Sequence, residues 1–131
     1  MNVRDKVKYW LDCANYDLVS AKAMLEKKRF LYVGFLCHQV AEKLLKAYFW
    51  QNCKKEPPFI HNLIILSEKS GFDKLANNEQ LAFFNELMPL NIQARYPEDK
   101  ELLLKSLSSK KCAELYKKTR ELYIWIKKLL K

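Results

Sequence analysis

The sequence predicts an all-α protein, an up-and-down helical bundle of about five helices, three long and two short. Three observations carry that expectation. Glycine occurs twice and proline four times in 131 residues, too few for the many turns of a β-sandwich or barrel. Half of the residues are apolar and 30% are charged, the balance of a folded chain. Apolar residues recur at steps of three and four along most of the length. A chain of this size is expected to form a single helical domain over residues 1–131.

The first 28 residues carry one amphipathic helix. Val3, Val7, Trp10, Leu11, Ala14, Leu18, Ala21 and Leu25 share its apolar face, and Lys27-Lys28-Arg29 follows at the end where the helix dipole favours cations. A second helix is expected from about Leu31 to Gln51. Its residues Phe35, Leu36, Val40, Ala41, Leu44, Leu45, Tyr48 and Phe49 cover more than one stripe, so it must bury two sides, against its own bundle and against a second subunit if one is present. Pro57-Pro58 ends that segment. A short helix over roughly Ile60 to Ser70 follows, with Gly71 at the left-handed cap position. Asn77 or Asn78 can cap a fourth through Leu81, Phe84, Leu87 and Met88, which Pro89 kinks or restarts.

Arg95-Tyr96-Pro97-Glu98-Asp99 reads as a loop, because proline pushes Tyr96 out of the helical region. Residues 100–107 are open to either reading. The last helix begins at Ser108 or Ser109. Cys112, Tyr116, Thr119, Tyr123, Ile126 and Leu130, with Leu115, Leu122 and Leu129 alongside, give it the three-in-seven face of a bundle helix.

Lys and Arg number 24 against 15 Asp and Glu, a net charge of +9. Such an excess attracts polyanions, so RNA, nucleotides and acidic proteins are the partner classes it admits. The doublets Lys54-Lys55, Lys110-Lys111, Lys117-Lys118 and Lys127-Lys128 are spread along the chain. Cys13, Cys37, Cys53 and Cys112 form no Cys-x-x-Cys pair, which argues against a zinc knuckle or a thioredoxin-like site, and all four are expected as reduced thiols. No apolar run reaches membrane-spanning length and the first residues lack a signal-peptide core, so a cytoplasmic protein is expected.

Few residues could carry chemistry. The isolated Gly34 and Gly71 exclude a phosphate-binding glycine loop. His38 and His61 are the two histidines. Glu42 stands one turn after His38, a spacing that suits a paired polar residue better than a metal site. Gln39, Lys43, Lys46 and Trp50, at steps of four, three and four, share a helix face that could hold a phosphate and stack a base, or be an ordinary solvated face. Arg95 and Tyr96 form a second candidate. The guanidinium suits a phosphate, though it could equally pair with Glu98 or Asp99.

Phe35-Leu-Cys-His-Gln-Val-Ala-Glu-Lys-Leu-Leu-Lys-Ala47 resembles the second-helix signature of the HEPN family (higher eukaryotes and prokaryotes nucleotide-binding). Pro57-Pro58-Phe-Ile-His61-Asn-Leu63 is similar to that family's histidine-plus-leucine start of the third helix. Ala94-Arg95-Tyr96-Pro97-Glu98 resembles its Ala-Arg-Tyr-Pro-Asp motif. The resemblance implies a dimerising helical bundle, often partnered with a separate minimal nucleotidyltransferase in toxin–antitoxin or nucleotide-handling pairs. It assigns binding roles to His38, Gln39, Lys43, Lys46, His61, Arg95 and Tyr96; Glu42 also matches the motif, and a role in the fold or the dimer interface stays open for both Glu42 and Lys43.

Some relatives are metal-independent ribonucleases that use an arginine followed four to six residues later by a histidine. Here no histidine follows Arg95, Arg29 precedes His38 by nine positions, and no arginine precedes His61 within that window. The expected protein is therefore a homodimeric binder of nucleotide or RNA phosphate with no cofactor and no catalytic residue of its own. A ribonuclease using His61 with Arg95, and a pure protein-interaction module, are the alternatives.

Overall fold

The most apolar helix takes the centre. In the computed structural model, which describes residues 1–92 and 96–131, the described residues form six α-helices, two short 3-10 turns and no strand. The arrangement is the expected all-α up-and-down bundle. Helix α1 (Val3–Glu26) starts at a capping box in which Asn2 and Asp5 each bond the other's backbone N–H. It lays Val7, Ala14, Leu18 and Ala21 against α2 (Phe30–Cys53). The chain reverses between them within three residues, with Lys28 at φ 58°.

Helix α2 buries Val33, Cys37, Val40, Ala41, Leu44, Leu45, Ala47, Tyr48 and Phe49. Its second apolar side is covered within the chain by α3 (Leu63–Ser70), α4 (Asn78–Leu87) and α6 (Ser109–Leu129). The apolar width of α2 therefore does not by itself call for a second subunit. Gly34 has a local reason. A β-carbon there would stand 3.3 Å from the Leu90 side chain, so glycine lets the 3-10 turn Met88–Leu90 lie close on α2.

Local capping chemistry sets the other boundaries. Asn62 accepts from the Ile65 N–H at 3.0 Å, so α3 starts at Leu63 and not Ile60. Gly71, at φ 83°, closes it in the left-handed conformation. After a 3-10 turn at Phe72–Lys74, Asn77 and Gln80 form the capping box of α4. That helix passes into the second 3-10 turn at Pro89.

The expected loop ends earlier than the sequence suggests. Tyr96 is extended, as proline demands, but Pro97 opens a sixth helix, α5 (Pro97–Ser106). Proline fits the first helical position because the N–H it lacks has no intrahelical partner there, and Glu98 and Asp99 suit the positive end of the dipole. The open stretch 100–107 is thus helical up to Ser106. Ser108, not Ser109, caps α6 by accepting from the Lys111 N–H at 3.1 Å. One apolar cluster joins residues of α1, α2, α3, α4 and α6. No residue of α5 is fully buried.

Candidate functional site

Three polar residues on α2 stand at successive steps of four: His38, Glu42 and Lys46. All three are buried. Glu42 is the hub, only 3% exposed. Its Oε2 accepts from the Lys46 ammonium at 3.0 Å, and its Oε1 stands 2.9 Å from His61 Nδ1. Since a carboxylate only accepts, the proton lies on Nδ1. Pro57-Pro58 stiffens the connection that brings Phe59 and His61 back over α2. The Lys46 ammonium lies 5.2 Å from the Trp10 ring centre and 5.7 Å from that of Phe59. An ammonium and a ring N–H together compensate a carboxylate that burial would otherwise penalise.

The imidazole of His61 reaches the surface. Its side chain is 52% exposed. With Nδ1 held by Glu42, Nε2 on the far side of the ring is the nitrogen available to a ligand. The Phe59 ring, 90% exposed, meets it edge-on at 5.7 Å. An oriented imidazole, which donates through Nε2 as the imidazolium, can hold an anionic oxygen while the aromatic face beside it stacks a flat ring.

His38 is fully buried, and Glu42, its expected partner one turn on, is taken by Lys46 and His61. Burial holds its pKa below the ordinary value of 6.5, opposed by the Glu42 charge and a hydrogen bond to the His61 backbone. At neutral pH it is an uncharged packing group. Its folded-state pKa is depressed, so below about pH 6.5 the unfolded chain binds the extra proton more readily. Stability should therefore fall as the pH drops below about 7. The slope of unfolding free energy against pH, from urea titrations, should be shallower in His38→Gln. Equal slopes would show that His38 does not carry this pH dependence.

The remaining members of the predicted polar line are engaged elsewhere. Lys43 is paired with Asp17 of α1. Gln39 Nε2 lies 3.5 Å from His38 Nδ1, a weak contact. Trp50 is half-buried under the Lys6 ammonium at 5.5 Å, with its indole N–H enclosed and unpartnered. The line is thus not one solvated face: Lys46 belongs to the Glu42 cluster, while Lys43 and Trp50 face α1. Tyr96 is 76% exposed, and Arg95 lies outside the described residues.

Sequence reading missed Phe59 and Trp10 as neighbours of Lys46. It also missed Glu42 as the link between Lys46 and His61. The four-residue spacing of His38, Glu42 and Lys46 was visible, whereas the closure of the 54–62 connection onto them was not.

Among the described residues, no group of three or more His, Cys, Asp or Glu side chains is placed to hold a metal ion. No helix among them is long and apolar enough to cross a membrane. All four cysteines are free thiols. Burial pushes the thiol of Cys37 up to about 12 and that of Cys112 up to about 11, so both are packing groups. A groove lies away from the cluster, between α4 and α6, over Phe83, Leu122 and Trp125.

A bundle centred on a polar-cored α2, with a histidine returned to it from the next connection, is the arrangement that known proteins can be compared with. The family model for the HEPN domain matches residues 7–129, and the chain belongs to that family. Its fold is similar to that in the crystal structure of TT1696 from Thermus thermophilus. The TM-score is 0.81 at 18% identity, over 99% of this chain and 100% of that one. A search of curated proteins finds none that matches this chain.

Proposed function

We propose that this HEPN-domain protein binds a nucleotide or an RNA phosphate at the His61 surface, as the accessory subunit of a separate nucleotidyltransferase chain. The observation that carries the reading is the half-exposed His61 ring, fixed through Nδ1 on buried Glu42 with exposed Phe59 beside it. In the imidazolium form Nε2 donates to a phosphate oxygen, and Phe59 supplies a stacking face. The family motif supports adding Arg95, as a guanidinium fork, and Tyr96, as a second ring, to the proposed binding residues; that assignment rests on the motif alone. Lys46 donates to Glu42 Oε2 at 3.0 Å and so helps fix the carboxylate that orients His61, while Lys43 is taken by Asp17. Family membership and the net charge of +9 support the same reading, and the homodimer remains part of it.

Calorimetric titration of ATP and of a short RNA tests the proposal, at about 50 and about 200 mM salt. We expect ATP binding that survives at the higher salt and is lost in both His61→Ala and Arg95→Ala. Binding that fades with salt equally in wild type and variants, or no binding, would overturn it.

The Glu42–His61 pair also favours a second reading. A carboxylate that fixes the tautomer of an exposed imidazole is the arrangement of a general acid–base catalyst. In that case purified protein should cleave RNA in EDTA, with cleavage lost in His61→Ala. Intact RNA would exclude that reading and leave the binder.

A further inference from the structure

The net charge of the chain is concentrated in α6 and the two residues after it. Residues 110–131 contain eight of the 24 basic residues and two of the 15 acidic ones. Eight less two leaves +6 of the total +9 there. The basic doublets that look scattered along the sequence are aligned by the helical period. Steps of seven and eleven separate Lys110, Lys117 and Lys128, and both steps return to nearly the same side of a helix. Arg120 and Lys127 stand together about a quarter turn to one side of that line. The opposite side, formed by Cys112, Leu115, Thr119, Leu122 and Ile126, is buried in the bundle.

All five of these cations are exposed. None has a carboxylate partner among the described residues, unlike Lys111 and Lys118, which share Glu86. Glu114 and Glu121 lie among them and leave the row an excess of three positive charges. Its length is that of α6, about 30 Å at 1.5 Å per residue.

We propose that this outer face of α6 is a docking surface for the phosphate backbone of single-stranded RNA, separate from the His61 surface. A line of long, flexible cations running the length of a helix matches an extended polyanion better than a compact acidic patch. A membrane is a poorer match: Ile124, 37% exposed, is the one large apolar residue on that face, so there is no apolar seam to insert. Contact is through charge, without base recognition, so it is sequence-tolerant and salt-sensitive.

The test measures binding of a roughly 12-nucleotide oligouridine against salt. It compares wild type with Lys110→Gln/Lys117→Gln/Lys128→Gln and with a control triple, Lys22→Gln/Lys55→Gln/Lys105→Gln, of equal charge loss elsewhere. For single strands each phosphate contact contributes about −0.7 to the slope of log K against log salt. The α6 triple should lose about two units of that slope, and the control less than half as much. Equal losses in both triples, an unchanged slope in the α6 triple, or no RNA binding by wild type would each overturn the proposal. So would vesicles of anionic lipid that displace the RNA at matched charge. ATP titration, which reads the His61 surface, should be the same in wild type and the α6 triple. Lost ATP binding with a steep RNA slope therefore counts against the His61 site alone, and a flat RNA slope with intact ATP binding counts against α6 alone.

Discussion

Replacing Glu42 with alanine is expected to lower the unfolding free energy by about 3–5 kcal/mol, a large share of the stability of a domain this size. The loss has a specific origin. Lys46 is 6% exposed and its ammonium has Glu42 as its carboxylate partner at 3.0 Å. Without that carboxylate a charge stays enclosed between Trp10 and Phe59 with only ring faces for company. His61, half-exposed, can turn to water, so its share of the loss is smaller. A rescue is expected as well. Glu42→Leu combined with Lys46→Met removes both charges and keeps the volume, which for buried pairs is often neutral or stabilising. Urea unfolding of the single and double variants measures this. A single-variant loss under about 1 kcal/mol would mean that the pair behaves as an exposed one.

Phe72→Ala should cost about 3–5 kcal/mol. Phe72 is fully buried and joins three helices. Its ring centre lies 5.5 Å from Tyr48 on α2, 5.9 Å from Phe84 on α4 and 5.4 Å from Trp125 on α6. These contacts are edge-on or tilted, as the ring quadrupole favours. Alanine leaves a cavity that three separate helices cannot collapse into, whereas Phe72→Leu should cost about 1–1.5 kcal/mol. The midpoint of urea unfolding should shift while its slope is retained. Losses of similar size in the two variants would show that the site relaxes and does not hold a cavity.

How much of this was legible in the sequence depends on how local the cause is. Asn77, Gly71 and Ser108 mark helix ends in sequence and structure alike, because a cap is settled by residues three or four apart. The long helices were legible for the same reason. Pro97 was read as a breaker, although proline is also a good first residue, and only the course of the chain beyond it decides between the two. The apolar excess of α2 was legible, but not that α3, α4 and α6 cover it within one chain.

The site followed the same division. His38, Glu42 and Lys46 share a face by spacing alone. That Glu42 is taken by His61 from the α2–α3 connection, and that Lys43 turns to Asp17, required the chain to fold back on itself. The basic row on α6 was present in the spacing of Lys110, Lys117 and Lys128 and was hidden by reading the lysines as doublets.

Whether His61 is the group that meets the ligand can be read from the proton NMR spectrum of the two histidine rings during an ATP titration at about 200 mM salt. The chain has only His38 and His61, and His38→Gln and His61→Gln assign them. The His61 ring signals should move on ATP addition and saturate, while those of buried His38 stay in place. Signals of His61 that do not move, with ATP bound by calorimetry or not, would contradict the proposed site.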